Sequence, residues 1–375
     1  MEAKVTTRRS DIDWLRIIAI FFVFIYHSTR LFNMEDWVVK NPTWYPWVEF
    51  WNRFAAEFMM PFILVISGAS LFYAIGKGGF GKFLKDKVLR LFVPWIFQVL
   101  TLITIQDYLG SMAHGEFSGS YWQFLGSYFF ANINVEGQHL WYLWLLFIFS
   151  LVTYPLLRWL KGGGKKALDW LGNLCAIPGF VYALALPSIL LLVLINPKSM
   201  IINFAQAGWP SIIYLWLLLS GFLIFSSEKL QAGIVRMRWV SLLLAVGSMI
   251  PYLIVTDFRQ PFPEFGTTGY LAFAFLRPFC SWCCILAFLG FGMKHLTFTS
   301  PRLGYANEAV LPFYIFHQTA LVFTGYYVVQ WPMPDWLKWP VVLVISFCLI
   351  MACYEFVVRR VNVMRVLFGL KWQRK

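Results

Sequence analysis

Long apolar runs alternate with short polar segments along the whole chain. A helix needs about 20 consecutive apolar residues to cross a bilayer, and ten runs reach or approach that length. They are residues 15–33, 55–76, 91–111, 138–158, 177–195, 210–226, 239–256, 270–292, 309–329 and 339–358. Pro178 and Pro187 interrupt the fifth run, which is therefore the weakest of them. The pattern predicts an all-α polytopic integral membrane protein of about ten transmembrane helices, forming a single domain over residues 1–375 with no separate soluble domain.

Basic residues predict the orientation of these helices, because cytoplasmic loops are enriched in Lys and Arg. With the N-terminus inside, the cytoplasmic segments hold 24 of the 31 Lys and Arg residues and the outer segments hold six, while Arg277 lies within a span. Both termini are therefore predicted to be cytoplasmic. The first apolar run is too long for a cleavable signal peptide, so we expect it to be the first membrane span.

The amino-acid composition indicates which kinds of partner the protein binds. Hydrophobic residues make up 59% of the chain and charged residues 13%, whereas soluble domains carry about 25% charged residues. The net charge of +13 would suggest nucleic acid in a soluble protein, but here the basic residues flank apolar runs and indicate contact with anionic lipid. The six cysteines lie in or beside apolar runs and form neither a disulfide framework nor a zinc pattern. We expect membrane lipid as a partner, and neither nucleic acid nor a metal.

Arg16 and His27 of the first predicted helix suggest chemistry inside the membrane. Their spacing of eleven residues, close to three turns, places them on one face about 16 Å apart along the axis. Arg is suited to binding phosphate, and His is the usual general base near neutral pH. The pair would suit an elongated phosphorylated donor such as acyl-coenzyme A. The structural alternative is a snorkelling Arg and a packed core His.

Three further ionisable residues fall in or beside later spans. His317, about eight residues into the ninth run, could share a cavity with His27 or form a structural hydrogen bond. Glu308 is expected to open that helix, where the dipole favours a carboxylate. Arg277 needs a partner or a water-filled cavity, and the partner could be an acceptor, an acyl carboxylate or a protein acid.

The outer ends of the spans hold a mixed polar and aromatic group. Such residues suit the hydroxyls and ring faces of sugars, although membrane-interface residues have a similar composition. The group consists of Glu57, Gln106, Asp107, His139, Trp141 and Trp144.

Four stretches, taken in order, resemble the acyltransferase 3 family. Residues 11–27 contain Arg16, ten further residues and then His27, which is the mark of that family's first membrane helix. Residues 61–68 resemble its second helix, residues 83–94 its basic cytoplasmic loop and residues 312–318 its late Tyr/His helix. The resemblance covers nearly the whole chain.

Within that family, two segments are most similar to the glucan biosynthesis protein C branch, which is associated with succinyl substitution of osmoregulated periplasmic glucans. They are Asp-Ile-Asp-Trp-Leu-Arg at residues 11–16 and His-Leu-Trp-Tyr-Leu at residues 139–143. One departure concerns the basic loop, which is often Arg-x-x-Arg in the family and is Lys87-x-x-Arg90 here. Lys still binds phosphate but lacks the bidentate geometry of Arg.

The resemblance implies a membrane-bound O-acyltransferase of the bacterial inner membrane. It would move a succinyl or acetyl group from cytoplasmic acyl-CoA to a hydroxyl of an extracytoplasmic glycan, such as osmoregulated glucan. On this hypothesis His27 deprotonates the acceptor or carries the acyl group, with His317 and Glu308 completing the catalytic set. The donor phosphates would be held by Arg16, Lys87 and Arg90, and the substrate by Arg277, Glu57, Asp107, His139 and Trp141.

Two other classes of function remain open. A secondary transporter or glycolipid flippase would also have many helices and buried charges, although no matched pair of broken helices occurs in the two halves of the chain. A membrane scaffold in an envelope-glycan complex would need these charges only for structure. Substrate movement without an acyl donor would favour the first class, and complementation by His27→Ala the second.

Overall fold

The computed structural model describes residues 9–76, 78–131, 134, 136–196, 205–257 and 259–373. Across these ranges the chain is predominantly helical, with one antiparallel ribbon that pairs Ala205–Gln206 with Trp209–Pro210. The predicted all-α class is therefore confirmed. Some basic residues used to predict the orientation, at positions 4, 8, 77, 198, 374 and 375, lie outside the described residues.

The helices of the described ranges are numbered here in chain order. They are α1 (Ser10–Thr29), α2 (Pro46–Ala74), α3 (Phe80–Lys87), α4 (Val93–Val99), α5 (Leu102–Ala113), α6 (Tyr121–Ala131), α7 (Trp141–Leu160), α8 (Lys165–Cys175), α9 (Leu186–Leu194), α10 (Ser211–Ser226), α11 (Glu228–Val255), α12 (Thr268–His295), α13 (Pro301–Val328), α14 (Asp335–Ala352) and α15 (Asn362–Leu367). Short 3-10 turns at Gln138–Leu140 and Phe180–Ala185 precede α7 and α9, and π-helical turns at Val88–Phe92 and Cys353–Val358 follow α3 and α14.

Seven helical segments within the described ranges are long and apolar enough to cross a membrane. They are Ser10–Thr29, Pro46–Ala74, Phe80–Ala113, Gln138–Leu160, Glu228–Val255, Thr268–His295 and Asp335–Val358. Each corresponds to one of the predicted apolar runs, so the chain is a polytopic membrane protein. The predicted total of ten spans and the cytoplasmic position of both termini stay predictions.

The other three predicted runs are less regular. The fifth run is part of a helix pair, α8 and Phe180–Leu194, that bends by 116°. Pro178 and the left-handed Gly179, at a φ of 86°, explain the bend because neither continues an α-helix. The sixth run is the 16-residue α10, and the ninth run lies in α13, where the polar pair His317–Gln318 interrupts the apolar sequence.

Helix α13 begins earlier than the apolar pattern indicates. Its first residue is Pro301, and the Ser300 hydroxyl accepts a hydrogen bond from the Leu303 amide at 3.1 Å. A capping Ser followed by Pro is a strong helix start, because Pro has no amide to leave unpaired in the first turn. The prediction that Glu308 opens this helix is therefore wrong, since Glu308 lies two turns inside it.

The described residues cluster into two compact units. Unit 1 comprises those of Met1–Ala19, Arg53–Gly76 and Pro155–Asn307. Unit 2 comprises those of Ile20–Asn52, Lys77–Tyr154 and Glu308–Lys375. Several long helices contribute residues to both units, α1 among them.

In unit 1, two glycines let helices α2 and α10 approach closely. A Cβ atom on Gly68 would lie 2.0 Å from the Leu218 carbonyl oxygen, and one on Gly221 would lie 2.0 Å from the Val65 carbonyl oxygen. These separations are shorter than any van der Waals contact, so only glycine fits at either position. Small residues at such crossings are the usual way in which membrane helices pack.

In unit 2, the π-helical turn Val88–Phe92 joins α3 to α4 just before Pro94. Pro94 has no amide to donate to the Arg90 carbonyl, so the wider turn relieves a break in the helical ladder. Gly369, at a φ of 74°, lies against the same carbonyl, because a Cβ there would be 2.8 Å from the Arg90 oxygen. The segment after α15 therefore supports the turn that carries Arg90.

Candidate functional site

His27 on α1 and His317 on α13 meet within unit 2. Nε2 of His317 lies 3.3 Å from Nδ1 of His27, and the ring centroids are 5.0 Å apart. His317 is buried, whereas His27 is half-buried. The sequence left open whether His317 shares a cavity with His27 or forms a structural hydrogen bond. In the structure the two imidazoles are in direct contact.

Backbone carbonyls fix the tautomers of this pair. The Val23 carbonyl lies 3.0 Å from Nδ1 of His27, and the Tyr314 carbonyl lies 2.5 Å from Nδ1 of His317. A carbonyl oxygen only accepts, so both Nδ1 atoms carry the proton. The single Nδ1–H of His27 is then shared between the Val23 carbonyl at 3.0 Å and the lone pair on Nε2 of His317 at 3.3 Å, and the neutral His27 ring has an unprotonated Nε2. An imidazole in this state can take a proton from a substrate hydroxyl.

His139 forms the third member of the cluster. Its ring centroid lies 4.8 Å from that of His317, and its Nε2–H donates to the Ile315 carbonyl at 3.1 Å. The Tyr314 hydroxyl donates to the His139 carbonyl, which ties the start of α7 to α13. Nδ1 of His139 is buried and has no hydrogen-bond partner among the described residues. His139 was predicted to bind the acceptor together with Asp107 and other outer residues, and that role stays a prediction; the structure adds the contact with His317.

A tight turn brings His139 to this position. Gly137 and Gln138 both have a left-handed φ, of 72° and 51°. A non-glycine residue rarely adopts this conformation, so the turn is held by its surroundings. Within the part of the chain that the structure describes, no group of three His, Cys, Asp or Glu side chains is arranged to hold a metal ion.

Arg277 and Glu57 form a buried ion pair in unit 1. Nε of Arg277 lies 2.9 Å from Oε2 of Glu57, and their side chains are 12% and 5% exposed. The Tyr252 hydroxyl also donates to Glu57. The guanidinium donates to the Gly208 carbonyl at 2.7 Å and stacks over the Trp209 ring at 4.2 Å. Among the partners considered for Arg277, a protein acid is the one observed, and the arrangement anchors the ribbon that contains Gly208.

Asp107 and Gln106 are neighbours on α5 but have different hydrogen-bond partners. Asp107, in unit 2, accepts hydrogen bonds from the Tyr128 hydroxyl and the Gln138 amide, both at 3.0 Å. Burial, together with the neighbouring Asp107 carboxylate, raises the pKa of Tyr128 to about 12, so this hydroxyl remains a donor at neutral pH. Gln106 donates to the Thr319 hydroxyl at 2.7 Å and braces α5 against α13. Trp141, at the start of α7, is buried.

Asp107 lines a cavity of about 600 Å³ in unit 2. The cavity lies among the predicted outer segments that follow α1 and α5. The ring of Trp37, in its wall, is 6.4 Å from the ring of His27. Among the wall residues only Asp107 was predicted, because the wall combines loop residues with one side of α5 and α6, and the apolar pattern does not predict where these segments meet. Its chemically informative lining residues are Asp36, Trp37, Asp107, His114, Glu116 and Tyr128.

Arg16, in the unit 1 part of α1, contacts several polar partners. Its guanidinium donates to the Ser70 hydroxyl at 2.9 Å and to the Asn307 side chain at 3.1 Å, and it pairs with Asp13 at 3.4 Å. The side chain is 31% exposed. These three contacts hold the Arg16 guanidinium in a single orientation.

Lys87 and Arg90 flank the start of the π-helical turn in unit 2. Nζ of Lys87 lies over the Phe83 ring at 5.2 Å, and Arg90 pairs with Asp86 at 3.8 Å. The Arg90 side chain is 50% exposed, so this ion pair is weak and open to solvent. An exposed guanidinium of this kind can exchange its partner for a phosphate.

Glu308 does not join the histidines. It accepts hydrogen bonds from Arg365 at 3.2 and 3.3 Å and from the Tyr354 hydroxyl at 3.1 Å. Glu308 and His317 are nine residues apart on α13, which corresponds to opposite faces of an α-helix. The Arg365 side chain is 4% exposed, so the contact is a buried anchor for α15. The geometry gives the predicted catalytic role of Glu308 no support.

Comparison with known proteins gives a consistent result. The profile of the acyltransferase 3 family, described as an acyltransferase domain, matches residues 9–355. A protein of Escherichia coli O81 (strain ED1a) called Glucans biosynthesis protein C is 22% identical over 368 residues, covering 96% of this chain and 92% of its own length. The protein of the same name from Salmonella schwarzengrund is 22% identical over 326 residues, covering 84% and 82%. No solved structure matches the chain.

Proposed function

Because this chain belongs to the acyltransferase 3 family and is a multi-pass membrane acyltransferase, we propose that it transfers an acyl group from cytoplasmic acyl-CoA to a hydroxyl of an extracytoplasmic glycan. The bacterial inner membrane is the proposed location. The name of the E. coli and Salmonella relatives supports a glucan as the acceptor. A succinyl or acetyl group is the proposed cargo.

The hydrogen-bonded pair His27–His317 is the observation that carries this proposal. His27 would accept the proton of the glycan hydroxyl at Nε2. The resulting alkoxide would attack the thioester carbonyl, so that a C–O bond forms and the C–S bond breaks. The coenzyme A thiolate would leave and recover the proton from His27. Bases placed in this way contribute about 10²- to 10⁴-fold to a rate.

His317 has a defined part in this scheme. When His27 becomes an imidazolium, its Nδ1–H faces the lone pair on Nε2 of His317 at 3.3 Å. A positioned acceptor at that nitrogen stabilises the cation and, together with the Val23 carbonyl, keeps the proton on Nδ1, which is the task of the third residue in a catalytic triad. Burial of His317 keeps water from replacing it in this task.

The donor phosphates are assigned to basic side chains. Lys87 and Arg90 lie on either side of the start of the π-helical turn, and Arg90 is half exposed. Arg16, whose contacts hold its guanidinium in a single orientation, is the third residue proposed to bind the donor phosphates. Each would bind phosphate by a charge-assisted hydrogen bond.

A thiol-release assay tests the proposal. The purified protein in nanodiscs is incubated with acetyl-CoA or succinyl-CoA, with and without glucan, and free thiol is followed. We expect glucan-dependent release that His27→Ala abolishes, whereas His295→Ala, an exposed histidine at the end of α12, serves as the matched control and retains it. Robust release by folded His27→Ala protein would reject the assignment of the base. Glycan movement without thiol release would indicate a transporter.

A further inference from the structure

The cavity in unit 2 has a one-sided charge distribution. Asp36, Asp107 and Glu116 place three carboxylates in its wall, and its described lining includes no Lys or Arg. His114 is the one basic group identified there, and its Nε2 already lies 3.4 Å from Oδ1 of Asp36. Arg30 and Lys40 lie close to Asp36, but Glu35 pairs with Arg30, so carboxylates still outnumber cations around the cavity and disfavour an anionic ligand.

The carboxylates differ in their exposure. Asp107 is fixed at depth, because Tyr128 and Gln138 each donate to one of its oxygens. Asp36 and Glu116 are exposed at the rim. A fixed carboxylate has further lone pairs for ligand hydroxyls, while the rim carboxylates act mainly through charge.

Aromatic rings complete the lining. Trp37, Phe124 and Tyr128 contribute to the wall. The ring of Trp37 lies 6.4 Å from that of His27, so a ligand against Trp37 would be near the proposed base. Rings combined with hydrogen-bond acceptors recognise a molecule that has both apolar ring faces and hydroxyl donors.

We propose that this cavity is the acceptor subsite and that it selects uncharged sugar residues over anionic ones. The inference rests on the proposed acyl transfer and specifies its acceptor class. A neutral hexose offers hydroxyl donors to Asp107 and a ring face to Trp37. A glycan with a carboxylate near the reacting hydroxyl is repelled by Asp36 and Glu116. A newly attached succinyl group adds a carboxylate, so the same charges promote release of the product.

Equilibrium binding without any acyl donor tests this selectivity separately from catalysis. Isothermal titration in nanodiscs compares a neutral gluco-oligosaccharide with an oligosaccharide of the same length that contains glucuronate. We expect the neutral ligand to bind the wild-type protein at least about tenfold more tightly. Equal affinities, or no binding of the neutral ligand, would overturn the proposal.

Three variants localise the effect. Asp36→Asn combined with Glu116→Gln removes the rim charges and should improve binding of the anionic ligand about fivefold or more. Asp107→Asn should lower the affinity for the neutral ligand about tenfold. Glu264→Gln, an exposed carboxylate in unit 1, is the matched control and should change neither affinity. Discrimination that survives removal of both rim charges would contradict the proposal. Both rim substitutions keep the size of the side chain and lie at exposed positions.

The two hypotheses fail in different ways. If the protein discriminates between the two ligands but never releases thiol, the cavity assignment stands and the proposed acyl transfer is rejected. If the protein transfers acyl groups but binds both ligands with equal affinity, the acyl transfer stands and the cavity assignment is rejected.

Discussion

Two buried polar clusters, one in each unit, look alike in sequence but differ in how their atoms are used. In unit 1, Arg277 is paired with Glu57, bonded to a backbone carbonyl and stacked on Trp209. In unit 2, His27 and His317 share a hydrogen bond, and the tautomers leave Nε2 of His27 unprotonated. A membrane charge is costly in both places, yet only the second cluster retains a group able to exchange a proton.

This difference separates structural from chemical use of polar residues in a membrane protein. A buried charge that is fully paired and hydrogen-bonded within the protein is stabilised, but few of its donors or acceptors remain available to a substrate. A partly satisfied imidazole is less stable but can react. The predicted substrate-binding roles of Arg277 and Glu57 stay predictions, and the variants below test them against a structural role.

The largest expected effect comes from His27. His27→Ala should lower the turnover number by about 10²- to 10⁴-fold, because the base is lost, with little change in stability. Thiol release under saturating donor and glucan measures this loss. Turnover within threefold of wild type, in protein with an unchanged melting temperature, would remove His27 from the chemistry.

The next effect concerns stability in unit 1. Arg277→Ala should destabilise the protein by about 3–5 kcal/mol, because Glu57 would remain as an uncompensated buried charge. Replacing both residues, Arg277→Met with Glu57→Met, should restore much of that stability. Thermal denaturation in detergent compares the variants. A single variant as stable as the wild type would show that the pair is not structural.

A smaller effect is expected for His317. His317→Phe should lower the turnover number about 10- to 100-fold while leaving the KM for glucan unchanged, because the lone pair that supports the His27 imidazolium is removed. The pH profile should also shift, since the acidity of His27 depends on this neighbour. His317→Asn, which can still accept a hydrogen bond, should recover part of the rate. An unchanged pH profile in His317→Phe would limit this residue to packing.

The smallest effect is expected at Glu308. Glu308→Gln weakens the anchor to Arg365, and through α15 and Gly369 it loosens support for the Arg90 turn. We expect the KM for acyl-CoA to rise about two- to fivefold with the turnover number nearly unchanged. A loss of turnover above about 100-fold at saturating donor would instead support the catalytic role predicted from the sequence.

The periodicity of the sequence predicted the helices well but not what happens between them. Apolar runs identify membrane helices because the bilayer demands about 20 such residues. The true start of α13 was missed because its signal, Ser300–Pro301, lies in a polar segment outside the run. Recognising that Ser-Pro is a cap would have placed Glu308 inside the helix.

The candidate site shows the same limit. Arg16 and His27 could be placed on one helix by counting residues, whereas the contact between His27 and His317 depends on tertiary packing across 290 residues. The contact between His139 and His317 was not predicted, because it depends on a left-handed turn at Gly137–Gln138 that helical periodicity does not indicate. The cavity wall combines loop residues with parts of α5 and α6, and their meeting depends on tertiary packing that no local pattern indicates.

One measurement tests the contrast between the two clusters most directly. Thiol-release rates per folded molecule are compared for His27→Gln and for the double variant Arg277→Met with Glu57→Met. We expect a loss of at least about 100-fold for His27→Gln and a rate within about fivefold of wild type for the double variant. An active His27→Gln protein beside a folded but inactive double variant would contradict it and place the chemistry in unit 1.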